Sequence, residues 1–213
     1  TLPLSAVMTA SETLRGALVY QYGTTSLILC NSDRRLQLAG PQRDDLIDAY
    51  EAAREYPLQP LVATVSGLLR KVPGEQEGST QSGVIVESFS LESGYDDCRL
   101  PGAELTNTRW QLSTLGDKTL DASQQQPYLT LDGEGNVHGN AGCNGLNGSY
   151  QLNDDTLSFG TIATTRKACP DMAGEQAFLQ ALKAASSFRI DGELLTLFDD
   201  NNQPLAGFQA IAL

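Results

Sequence analysis

Apolar positions along the first half of the chain alternate with polar ones at the two-residue period of a half-buried strand. From Leu14 to Tyr22, Leu, Ala, Val and Tyr alternate loosely, and after the Gly23 break Thr24 to Cys30 predicts a second short strand. Asn31, Ser32 and Asp33 supply turn chemistry, so Leu36 and Leu38 read as a third strand returning in hairpin fashion. The period then changes. Leu46, Ile47, Tyr50 and Ala53 recur at helical spacing, predicting a helix over Asp44 to Glu55 that Pro57 stops. Leu61 to Leu69 predicts a strand, Pro73 to Ser82 is polar and reads as mobile, and Gly83 to Ser90 predicts a last strand. Three strands, a helix and two further strands point to a small closed or half-closed barrel, because closure removes exposed sheet edges.

The second half repeats hairpins around one helix. Pro101 to Asn107 is a short polar connection, which sets the expected domains at 1–100 and 101–213. Trp110 and Leu112 open a strand, and Tyr128 to Leu131 gives another. Asp132-Gly133-Glu134-Gly135 is a turn, and Asn136 to Asn140 returns the hairpin. Gly148 to Leu152 and Thr156 to Phe159 pair across Asn153-Asp154-Asp155. Met172 to Ser186 predicts a helix with the stripe Ala173, Phe178, Leu182 and Ala185, started near Asp171 or Gly174. Ser187 to Ile190 and Leu194 to Phe198 turn about Asp191-Gly192, and Leu205 to Ile211 completes the sheet. The expected class is therefore mainly β with α+β character: an OB-type β-barrel, then an antiparallel sheet with one main helix.

Charge narrows the partners. The 213 residues carry 14 Lys and Arg against 26 Asp and Glu, a formal net charge of -12. Nucleic-acid binding draws on cations that neutralise phosphates, so no nucleic-acid partner is expected, even for an OB-type groove. The same balance disfavours an anionic membrane surface, and no apolar run approaches the roughly 20 residues that span a bilayer. Cys30, Cys98, Cys143 and Cys169 fall two to each half without a CxxC, beside a single His and two Met. That composition predicts two structural disulfides and an exported protein, with no bound transition metal and no cofactor. Thr1 to Ala10 lacks a basic n-region, so Thr1 is read as a processed or trimmed end.

Two resemblances sharpen this picture. The run LRGALVYQYGTTSLILCNSDRRLQLAG, followed by AAREYPLQPLVATVSGLL and closing on YDDC, resembles the C-terminal OB-fold domain of NlpE-type outer-membrane lipoproteins over Leu14 to Cys98. In that family a strand-end Cys is bonded to the Cys of a terminal xxDC, which implies a Cys30–Cys98 disulfide. The family's separate copper-associated domain carries a CxxC that this chain lacks, so no copper role is implied. The string GNAGCNGLNGSYQL, then IATTRKAC, EQAFLQAL and GELLTLFDDNNQPLAGF, resembles the META/HslJ domain over Leu105 to Phe208. Four ordered blocks agree: the GCN core, the ATT-x-x-x-C segment, the Glu-x-x-Phe-x-x-x-Leu helix and the last hairpin. The family typically has Met where Arg166 or Lys167 stands here. Together with one cysteine pair per domain, the match implies Cys143–Cys169, an envelope protein linked to stress tolerance, and no established catalysis.

Several residues invite sharper readings. His138 and Cys143 form the sole candidate nucleophilic pair, but strand geometry does not place residues five apart on one face, and Cys143 has a partner in Cys169. Gly139, Gly142, Gly145 and Gly148 match no phosphate-binding pattern and point to close packing or positive φ. The pairs Asp44-Asp45, Asp96-Asp97, Asp154-Asp155 and Asp199-Asp200 fit no calcium loop and read as solvated turns. Asn144 and Asn147 are expected to shape turns beside the disulfide. Tyr20, Tyr22, Tyr50 and Tyr56 cluster in the first half, where Tyr20, Tyr22 and Tyr56 are the candidate interaction residues. The expected function is a non-enzymatic, interaction-based stress protein on the periplasmic side of the envelope, anchored at the outer membrane by an N-terminal lipid. The alternative is a carrier, with a small apolar or acyl ligand in the second domain.

Overall fold

The computed structural model describes residues 10–74, 78–92, 98–120, 126–170 and 172–211. The chain forms two compact units, Thr1–Arg54 with Gln59–Leu100, and Glu55–Leu58 with Pro101–Leu213.

In the first unit β1 (Glu12–Gln21), β2 (Thr24–Leu29), β3 (Arg35–Ala39), β4 (Leu61–Pro73) and β5 (Thr80–Leu91) close a five-stranded barrel in the order β1-β2-β3-β5-β4, with α1 (Arg43–Ala53) between β3 and β4. The β1–β2 hairpin turns on Tyr22 and Gly23, whose φ of 50° and 75° match the two-residue turn that follows strand twist. Closure comes from two pairings distant in sequence: β1 with β4, antiparallel, and β3 with β5, parallel. A bulge at Ser66/Gly67 lets β4 coil around the barrel, and a Cβ at Gly67 would overlap the carbonyl oxygen of Ile85. Inside are Leu18, Leu27, Leu36, Leu38, Val65, Val84 and Val86, joined by Leu46 and Tyr50 of α1. Each such aliphatic side chain contributes about 1.5–3 kcal/mol through burial.

Two expectations for this unit change. The helix starts at Arg43 and ends at Ala53, since Arg54 is already extended with ψ 142° and leaves Pro57 outside it. Asp44 and Asp45 thus occupy its first turn, where they complement the helix dipole, and are not a turn motif. Thr80 to Ser82, expected within a mobile stretch, pair with Lys71 to Pro73 and lengthen the β4–β5 ladder.

The second unit is built on β6 (Arg109–Leu115), β7 (Lys118–Thr119), β8 (Tyr128–Leu131), β9 (Asn136–Asn140), β10 (Gly145–Asn153), β11 (Thr156–Thr164), β12 (Ser187–Asp191), β13 (Leu194–Phe198) and β14 (Pro204–Ile211), with α2 (Ala173–Ala184) between β11 and β12. The sheet runs β14-β13-β12-β11-β10-β9-β8-β6-β7, and β14 also pairs with β6 so that the sheet curls back on itself. β11 and β12 share only the Thr156–Ser187 pairing, and the intervening α2 lies against β11, β14 and β6. Phe178 and Leu182 of α2 enter a core with Trp110, Leu112, Leu129, Leu131, Leu195 and Phe208. The fully buried Trp110 donates its indole N–H to the Leu105 carbonyl at 3.0 Å, so no polar atom of that large ring is stranded. β7 is a two-residue strand whose exposed Lys and Thr give no periodic signal.

Candidate functional site

The geometry that concentrates most polar design lies in the second unit, where the β9–β10 loop meets the start of α2. The structure bonds Cys143 of that loop to Cys169, with Cα atoms 6.5 Å apart, and, in the first unit, Cys30 to Cys98, with Cα atoms 4.5 Å apart. Glu175, in the first turn of α2 and only 6% exposed, accepts bonds from the backbone N–H of Cys143 (3.3 Å) and Asn144 (2.9 Å) on Oε2. Its Oε1 accepts from Asn144 Nδ2 at 2.9 Å. Asn144, 1% exposed, in turn accepts on Oδ1 from Thr165 Oγ1 at 2.8 Å and from the Lys167 N–H at 2.7 Å. One carboxylate and one amide therefore tie together the β9–β10 loop, the irregular segment that follows β11 and the helix start. A buried carboxylate is tolerable there because it takes three N–H donors at a positive helix end.

This clamp explains the sequence blocks chemically. The Asn of GCN and the Glu of the helix motif are partners, a pairing that spacing alone does not reveal. Where the family typically has Met near Arg166 and Lys167, the contact made here is a backbone one from Lys167, independent of the side chain. A Cβ at Gly139 would overlap the Tyr128 carbonyl oxygen, and Gly142 has φ +123°, so the glycines of this loop serve close strand approach and turn geometry. Asn147, expected to share the turn role of Asn144, is instead an exposed residue of β10 opposite His138.

Beside the clamp opens a cleft of about 710 Å³, lined by Leu112, Leu115, Leu120, Pro127, Glu175 and the Cys143–Cys169 disulfide among others. Gln126, also at its wall, accepts a side-chain hydrogen bond from Gln111. His138 is exposed on β9 and Cys143 is held in its disulfide, so the pair forms no nucleophilic centre. Among the described residues no group of three or more His, Cys, Asp or Glu is arranged to hold a metal ion, and no helix is long and apolar enough to cross a membrane. Asp199 caps the β13–β14 turn by accepting the N–H groups of Asn201 and Gln203, and Asp154, with φ 52°, turns β10 into β11. Asp96, Asp97 and Asp171 lie outside the described residues.

The tyrosines divide. Tyr50 is 1% exposed, donates to the Gln59 carbonyl at 2.8 Å, and is pushed by burial well above the usual phenol range. Tyr20 is half-buried and packs edge-on against Tyr50, ring centres 6.5 Å apart. Tyr56 is buried within the second unit's packing: it meets Phe198 edge-to-face at 5.2 Å and donates its hydroxyl to Asp191 Oδ2 at 2.9 Å. It offers no free ring to a partner. Tyr22 alone of the three candidates is exposed, at 41%, on the tip of the β1–β2 hairpin.

Comparison with known proteins places these features. The model of the NlpE C-terminal OB domain matches residues 8–99, and the model of the META domain matches residues 103–211. Among solved structures the chain is similar to an NMR structure of a protein from Burkholderia xenovorans, with 32% identity over 51% of this chain and 85% of that one and a TM-score of 0.41. It is also similar to the crystal structure of the Cpx pathway activator NlpE from Escherichia coli, with 20% identity over 43% of this chain and 48% of that one and a TM-score of 0.37. No curated protein matches the sequence. The chain belongs to the META domain family, with a preceding segment, residues 8–99, that matches the NlpE C-terminal OB domain.

Proposed function

We propose that the chain is a non-enzymatic protein of the bacterial cell envelope, facing the periplasm, that serves a stress response by capturing a protein or peptide partner. The observation that carries this reading is the union of an NlpE-type OB domain with a META domain, each stapled by its own disulfide. Disulfides persist in an oxidising compartment, which supports an envelope location. Lipid anchoring at the outer membrane follows the lipoproteins that the first unit resembles. Tyr22 is the residue we assign to partner contact, because it presents a large ring at a hairpin tip at small entropic cost. Thiol trapping in intact cells, followed by fractionation, tests the location: the reading expects four oxidised cysteines in the envelope fraction. Free thiols in the cytoplasmic fraction contradict it.

A second reading, carriage of a small apolar or acyl ligand by the META domain, is favoured by the cleft, whose 710 Å³ falls in the range of small-molecule pockets. A small molecule that copurifies with the protein and leaves on denaturation supports it.

A further inference from the structure

We propose that the cleft beside the Cys143–Cys169 disulfide binds an amphiphile with an apolar body and a neutral or cationic, hydrogen-bond-donating head, and rejects anionic ones; the assignment rests on the carrier reading. The body of the ligand is read from the walls. Leu112, Leu115, Leu120, Pro127 and Ala141 present hydrocarbon, and the disulfide adds a polarisable, uncharged edge. Burial of methylenes against such a wall is favourable, so an alkyl chain of moderate length is held without polar contacts.

The head is read from the charge. Glu175 is the one ionisable side chain among the described residues lining the cleft, and Lys, Arg and His are absent from that lining. Its Oε2 accepts two N–H bonds, whereas Oε1 accepts one and keeps a lone-pair position for a further donor. An ammonium or hydroxyl head completes that carboxylate. A carboxylate or phosphate head meets like charge in a partly enclosed site, on a chain of net charge -12. Lys167 engages the clamp only through its backbone, and its side chain is exposed.

Gly174 gives the site a clean test. It lies in the first turn of α2 on the cleft wall, its φ is not positive, and a Cβ there meets no atom within 4 Å. A leucine at this position projects into open space, and helix propensity favours it over glycine. Gly174→Leu is thus expected to block the cleft while keeping or raising the melting temperature.

The experiment titrates the intact protein with decylamine, decanol and decanoate, which share one chain and differ in head, and reads heat by calorimetry. Wild type is expected to bind decylamine and decanol, with decanoate about tenfold or more weaker, and Gly174→Leu to weaken the first two by about tenfold or more, equivalent to about 1.4 kcal/mol. That variant also removes any general attraction of an amine to an acidic protein from the comparison. If decanoate binds as tightly as decylamine and Gly174→Leu abolishes both, the carrier reading stands and the head assignment falls. If no probe binds, or if Gly174→Leu leaves binding of all three unchanged, the cleft is not a ligand site and both fall.

Discussion

Asn144, itself buried, spends both ends of its amide, Nδ2 on the buried Glu175 and Oδ1 on Thr165 and Lys167. Replacing it leaves the buried Glu175 carboxylate short of a donor, a loss of about 1–3 kcal/mol. Asn144→Ala is therefore expected to destabilise the second unit by about 2 kcal/mol in denaturant unfolding. Asn144→Asp is expected to cost more at neutral pH, because it sets two carboxylates side by side. Equal losses for the two variants contradict the clamp. The exposed Tyr22 behaves oppositely: Tyr22→Ala is expected to weaken partner capture by about 1 kcal/mol or more with little change in melting temperature. Loss of stability with unaltered capture assigns Tyr22 to the fold. At this scale the sequence was legible in part. Asn144 stood out beside the disulfide, but its partner Glu175 lies 31 residues away on a helix, and the cleft is a property of packing that no local pattern encodes.

Elements whose signal is local were the most legible. Tyr128–Leu131, Asn136–Asn140 and Leu194–Phe198 are strands bounded by Gly-, Asp- and Asn-rich turns; alternation marks the first two, and the third is a short, fully buried, mostly apolar run. β7 escapes notice because two exposed residues show no period, and α1 ends early because Arg54 turns extended before Pro57 is reached. The parallel β3–β5 pairing that closes the barrel joins residues far apart in the chain and has no turn to announce it. Across the β1–β4 seam, Arg15 of β1 holds Glu92 at 2.7 Å while Thr64 of β4 donates to the same carboxylate at 2.8 Å. The Arg15 hydrogen bonds, then that of Thr64, keep Glu92 below its ordinary value of 4.5. A carboxylate with a depressed folded pKa stabilises above its unfolded value and loses that contribution as pH falls through the folded one. Glu92→Gln is expected to unfold more easily than wild type above about pH 4.5, the difference shrinking in more acidic buffer. A difference that persists unchanged into acid contradicts the ion pair's role.

On the scale of the whole molecule, charge and cysteine usage support the proposed function independently of any site. A chain of net charge -12 with two disulfides suits an oxidising compartment and a protein or neutral ligand more than nucleic acid. The disulfides link residues 68 and 26 positions apart, and chain-entropy arithmetic assigns them about 4.4 and about 3.5 kcal/mol respectively. The proposed capture of an envelope partner through the OB unit is tested by in-cell photo-crosslinking with a photoreactive aromatic residue at Tyr22 of the full chain, and with the same residue at the exposed Asp154 turn as control. The prediction is a discrete adduct with one envelope protein from position 22, absent from position 154 and outcompeted by unlabelled protein. Identical diffuse products from both positions contradict it.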